Sequence, residues 1–165
     1  MPDVDVRLLA GVNPQVAVWC AGLDRGQGPI LNLIQDLTPD QLAQVPPGLD
    51  NSIATLVLHV AAIEARMAHR IAGRPMPADL QAEFLLDQPQ NPLPQARGET
   101  AETLRAKAEK ARDLLRQTLA DVGEADLAGQ VPFGSGTATV RFALAVLPTH
   151  QAQHYGQMQM IRRLV

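Results

Sequence analysis

Residues 50–73 read DNSIATLVLHVAAIEARMAHRIAG, and this stretch decides the fold. Ile53, Leu56, Val57, Val60, Ile63, Met67 and Ile71 recur at the spacing of an amphipathic α-helix. Asp50 or Asn51 is the expected cap, and Gly73 with Pro75 the stop. Working outward, the same period returns from Thr100 to Leu119. There Leu104, Ala108, Ala111, Leu115 and Thr118 share a face, and Gly123 closes the run. A last helix starts near Thr139 and carries Val140, Leu144, Leu147, Met158 and Ile161 to the end of the chain. Pro148 should interrupt and kink it, having no N–H for the carbonyl of Leu144. Toward the N-terminus, Asn13-Pro14 reads as a cap and first helical residue. Gly26-Gln27-Gly28-Pro29 then interrupts before Ile30–Leu37 resumes, giving one kinked helix or two. Thr38-Pro39-Asp40 begins a short turn of helix that ends near Val45-Pro46-Pro47.

Two connections are long. Gly73–Glu99 is rich in Pro and Gln, and a loop of that length in a compact domain is either functional or disordered. Phe84-Leu85-Leu86 is its expected anchor, as a short helix. Asp121–Ala138 ends in Gly134-Ser135-Gly136 and lacks the Lys of a phosphate-binding loop, so it reads as a flexible connector. The predicted architecture is all-α: one domain spanning residues 1–165, a four-helix bundle with a long loop between helices 2 and 3.

Composition agrees. Of 165 residues 46% are apolar and only 3% aromatic, so aliphatic side chains must fill the core, which suits interdigitating helices. A formal charge of −3 argues against a general nucleic-acid binder. No apolar run approaches the ~18 residues of a membrane span. Asp3 and Asp5 stand where a secretory leader would be basic, so no leader is expected. Cys20 is the single cysteine; it excludes an internal disulfide, fits a reducing cytoplasm and reads as a packed thiol among Val18, Trp19 and Ala21.

The four histidines carry the chemistry. His150 and His154 fall inside the apolar stripe of the last helix, about 60° and about 20° from its centre. Four residues apart, their rings project one turn apart from one face, the spacing that lets two imidazoles share an ion. Gln157 sits beside them at the edge of the stripe. His59 lies at the border of the apolar face of the second helix, while His69 points the opposite way, into solvent. A buried neutral imidazole needs both a donor and an acceptor partner, and an unmet one costs ~1–3 kcal/mol. A metal ion and a hydrogen-bonded polar pair both answer that need, and spacing alone leaves the two open. Glu64 also falls on the apolar face, either paired with an Arg of a neighbouring helix or as a ligand.

The segment Asn51-Ser52-Ile53-Ala54-Thr55-Leu56-Val57-Leu58-His59-Val60, with Glu64 beyond it, resembles the second helix of the DinB/YfiT-like family. His150-Gln151-Ala152-Gln153-His154-Tyr155-Gly156-Gln157 resembles that family's H-x-x-x-H-x-G-Q signature. Thr38 to Leu42 is similar to the turn after its first helix. The resemblance implies a divalent-metal site made by His59, His150 and His154, with Gly156 permitting close helix approach and Gln157 as a neighbouring polar group. Tyr155 and Gln151 depart from the Arg and Glu frequent in the family, which puts substrate or thiol recognition in doubt but not the ligands.

Three imidazoles leave coordination positions open, the pattern of a catalytic rather than a closed structural site. Zinc is the first expectation for the ion and nickel the second, with iron and copper compatible. Relatives of the family include S-transferases and a maleylpyruvate isomerase that use small thiols such as bacillithiol or mycothiol. The resemblance therefore implies a small-thiol-dependent S-transferase acting on a small-molecule substrate. The alternatives are a hydrolase with metal-bound water and Glu64 as its base, or a non-catalytic stress or scaffold protein. A homodimer is the expected assembly.

Overall fold

The computed structural model describes residues 11–165. The expectation resting on Asp3 and Asp5 lies outside the described residues. The element order is α1 (Pro14–Ile34), α2 (Pro39–Ala43), α3 (Ile53–Ile71), α4 (Ala78–Glu83), α5 (Ala101–Leu119), α6 (Glu124–Leu127), β1 (Gln130–Phe133), β2 (Gly136–Thr139) and α7 (Val140–Arg162). Helices α1, α3, α5 and α7 make a four-helix bundle, and the fold is all-α apart, among the described residues, from one small hairpin.

Each bundle helix starts on a side-chain cap that satisfies one of its orphan N–H groups. Asn13 Oδ1 accepts from Gln15 N–H at 2.9 Å, and Thr100 Oγ1 from Thr103 N–H at 3.1 Å. Thr139 Oγ1 accepts from Phe142 N–H at 3.1 Å. On α3 the cap is Ser52, bonded to Thr55 N–H at 3.1 Å, and not Asp50 or Asn51. Ser52 is buried, so it can cap α3 and still close the chain onto the core.

Inter-helix pairs fix the directions. Gln15 meets Arg141 and Asp36 meets Arg162, a constant offset of 126 positions, so α1 and α7 run parallel. Thr55 meets Ala96 just ahead of α5, and Glu64 meets Arg112, so α3 and α5 are also parallel. Asp24 bonds Arg112 and Leu31 bonds Arg105, which makes α1 and α5 antiparallel. The α3–α7 pair is antiparallel too: Leu56 shares a cleft with Ile161, and Arg70 reaches Pro132, just ahead of α7.

Parallel neighbours need a return path. The chain must retrace the length of α3, 19 residues or ~28 Å, before α5 can start. The Gly73–Glu99 segment does this as a packed crossover. It carries α4, buries Leu80, Phe84 and Ala96, and ties back through Ala96 N–H to Thr55 Oγ1 at 3.1 Å. Phe84 does anchor it, one residue past α4 rather than inside a helix.

Of the two alternatives left for the first helix the single one holds, while the Asp121–Ala138 connector and Gly123 depart from expectation. α1 is continuous through Gly26 and Pro29. The proline forfeits one hydrogen bond, but Ile30, Leu31, Leu33 and Ile34 are buried immediately after it, and packing overrides the local penalty. α7 likewise continues unbroken through Pro148. The Asp121–Ala138 connector is ordered as α6 and a hairpin pairing Val131 with Ala138 and Phe133 with Gly136. Leu127 and Val131 are buried beneath it, and Gly134 turns the hairpin at a φ of +57°. Gly123 heads α6 instead of closing α5.

Candidate metal centre

The antiparallel crossing of α3 and α7 sets His59 opposite His150 and His154. His150 Nε2 lies 3.1 Å from His59 Nε2 and 3.1 Å from His154 Nε2. One ring nitrogen from each residue falls within 4.8 Å of the others. The rings stand edge to face, His150 to His154 at 79° and His59 to His154 at 83°. All three are half-buried.

Proton counting tests whether these residues fit an ion. His154 Nδ1–H donates to Gln157 Oε1 at 2.7 Å, which assigns the proton to Nδ1 and leaves a lone pair on Nε2. His150 Nε2 then faces two other Nε2 atoms with at most one proton of its own, so it can donate to only one. Without that proton its lone pair opposes the one on His154 Nε2, and with it one of the two contacts still lacks a hydrogen bond, so a cation between the three nitrogens is what satisfies them all. Burial disfavours an extra proton. It pushes His59 down to about 3, helped by the charges of His150, His154 and Arg66. It pushes His150 down to about 4, helped by His154 and Arg66. Neutral imidazoles with convergent lone pairs are what a divalent ion requires, so the residues fit.

Glu64 is elsewhere. Five residues from His59, it lies ~140° around α3. Both its oxygens are taken by Arg112 of α5, Nε to Oε2 at 2.8 Å and Nη2 to Oε1 at 2.7 Å. Asp24 of α1 holds the third edge of that guanidinium at 2.9 Å. With 3% exposure and both oxygens engaged, Glu64 is a structural carboxylate and not a base beside the histidines.

Other residues also fall differently from expectation. His69 is buried rather than solvated, because the chain turns back after α3 and Arg74 N–H bonds the His69 carbonyl at 3.1 Å. A Cβ at Gly156 would meet no atom within 4 Å, so close helix approach does not depend on it. That work falls to α1, where Gly22 faces Pro148 and Gly26 faces Gln151. Gln151 is buried against α1 and α5. Its amide, with N and O assigned by hydrogen bonding, donates to the Leu23 carbonyl at 3.1 Å and accepts from Arg112 Nη2 at 3.2 Å.

The surroundings of the trio are unequal. On one side of His59, Phe84, Leu85 and Leu93 of the crossover leave a space of only ≈ 10 Å³. On the other, His150 opens into a cleft of ≈ 270 Å³ walled by Ile63, Met67, Leu147 and the hairpin residue Phe133. Arg66 and Arg70 also line it. Sequence reasoning missed Arg66, although its place was readable: His59, Ile63, Arg66 and Arg70 follow the i, i+4, i+7, i+11 pattern of one helix face.

Comparison with known proteins agrees with this fold. A conserved protein from Enterococcus faecalis, known from its crystal structure, shares the fold with a TM-score of 0.70 at 18% identity. The match covers 90% of this chain and 95% of that one. No curated protein matches the chain. The sequence profile of the DinB superfamily matches residues 23–158, from α1 through both histidines of α7. The chain belongs to the DinB superfamily.

Proposed function

We propose that this protein is a divalent-metal enzyme of the small-thiol-dependent S-transferase kind, with zinc or nickel held by His59, His150 and His154. The convergence of three imidazole Nε2 atoms is the observation that carries the reading. A divalent ion held by three imidazoles supplies Lewis acidity and lowers the pKa of a thiol or water that joins it. The chain's own residues prepare that site. Gln157 fixes the tautomer of His154, and burial keeps His59 and His150 unprotonated at neutral pH. The cleft beside His150 admits a small electrophile between apolar walls. Thiol chemistry suits the site better than hydrolysis, because a thiolate needs no separate base once ionised, whereas Glu64 is locked to Arg112. A homodimer in the cytoplasm belongs to the same proposal, and light scattering reads its assembly directly.

Elemental analysis of protein purified without added metal tests the centre. Near-stoichiometric ion is expected in the natural chain and less than about a tenth of that in His154→Ala. The loaded protein should then consume a small thiol in conjugation with an electrophile such as a haloaromatic. Bound ion without any thiol consumption, across several thiols and metals, overturns the transferase reading; absence of ion overturns the centre itself.

A further inference from the structure

The cleft beside His150 contains a cation without a counterion. Arg66 is half-buried, yet among the described residues it makes no ion pair or hydrogen bond. The other arginines that are buried or near the site are engaged: Arg112 by Glu64 and Asp24, Arg70 by the Pro132 carbonyl. Burial and the neighbouring Arg70 both act against the Arg66 charge, and among the described residues no carboxylate offsets them. A guanidinium kept charged in an apolar cleft costs free energy unless an anion completes it.

From these observations we propose that Arg66 is the specificity residue of the site and that the substrate is a small molecule joining a carboxylate or phosphate to an apolar body. The assignment rests on the metal-enzyme reading above. Arg66 lies two turns beyond His59 on the same face of α3, ~10 Å along the helix axis. It lines the same cleft as His150. A molecule whose oxyanion sits in the planar fork of Arg66 therefore extends its other end along the cleft toward the three imidazoles. Ile63, Met67, Val146 and Leu147 wall the space between, and Phe133, edge to face with Phe142 at 5.6 Å, closes the outer side. At ≈ 270 Å³ the cleft takes a compact substrate, below the ~300–1,000 Å³ of sites that hold drug-sized ligands.

Cobalt-loaded protein gives a readout independent of turnover, because a thiolate joining cobalt produces a charge-transfer band. The probes are 3-mercaptopropionate, which is anionic, and 2-mercaptoethanol, which is neutral. The natural chain should bind the anionic thiol at least about tenfold more tightly, a difference of about 1.4 kcal/mol. Arg66→Met should bring that ratio to about one without weakening 2-mercaptoethanol, and Arg66→Lys should restore part of it. Acetate and inorganic phosphate should compete with the anionic thiol, and the stronger competitor identifies the oxyanion. Equal binding of the two thiols by the natural chain, or a ratio that survives Arg66→Met, overturns the role of Arg66. If the natural chain takes up no cobalt, the metal reading fails instead. Calorimetry of the metal-free protein with acetate and phosphate then judges Arg66 alone: heat that vanishes in Arg66→Met supports it, and heat that persists overturns it.

Discussion

Glu64 and His59 share α3, and the ~140° between them separates structure from chemistry. His59 turns to α7 and finds two imidazoles, while Glu64 turns to α5 and finds Arg112. Breaking a buried ion pair from one side strands the other charge, typically at 3–5 kcal/mol. Asp24 stays beside Arg112 and softens that loss. Glu64→Gln should therefore lower unfolding free energy by about 3 kcal/mol in urea titration. The folded fraction should retain its metal content. A stable variant with no turnover would restore Glu64 as a base. Glu64 on the apolar face and His59 at its border were legible from their helical positions, but which partner each would meet was not. A single helix shows its faces and says nothing of its neighbours. Arg66 was overlooked for the complementary reason: a charged side chain at a helix border reads as solvated until the facing helix is known.

Caps and apolar periods located all four bundle helices, since those signals are local. Asn13 caps α1 as expected, and Thr100 and Thr139, expected only as helix starts, cap α5 and α7. Breakers misled where tertiary packing uses them. Gly26 resembles a helix stop, yet it leaves room for Gln151 of α7, and a Cβ there would stand 2.8 Å from the Gln151 amide carbon. Alanine in place of that glycine would gain ~1 kcal/mol of helix propensity. It would also displace the Gln151 amide from the Leu23 carbonyl and Arg112, with crowding and lost bonding worth ~2–4 kcal/mol together. The second effect wins. Gly26→Ala should reduce stability by about 1–3 kcal/mol, read as a lowered Tm, and Gly26→Ala with Gln151→Ala should recover part of the loss. An unchanged Tm would mean that α1 and α7 separate freely at this crossing. The crossover was misread for a topological reason. Its length looked like freedom, but two parallel helices cannot be joined by a short turn.

Acidity acts on the molecule through its interior imidazoles. His59 at about 3 and His150 at about 4 both lie below the 6.5 of an unperturbed ring. Below pH 6.5 the unfolded chain takes up two protons that the folded chain refuses. The stability these residues give at neutral pH should therefore fall as pH drops from 6.5 toward 4, and urea midpoints of the metal-free protein measure it. A midpoint that rises over that interval would mean the rings are not held neutral. Added zinc should raise Tm at pH 7, by ~4 kcal/mol of stabilisation at a thousandfold excess over its Kd, and progressively less in acid as protons compete. His59 and His150 are 91 residues apart in the chain. During synthesis, the first of these imidazoles leaves the ribosome long before the other two, so the three nitrogens cannot meet until α7 has been made. A chain stopped short of α7 carries only His59 of the trio and lacks the two imidazoles that would complete a three-nitrogen grip on an ion.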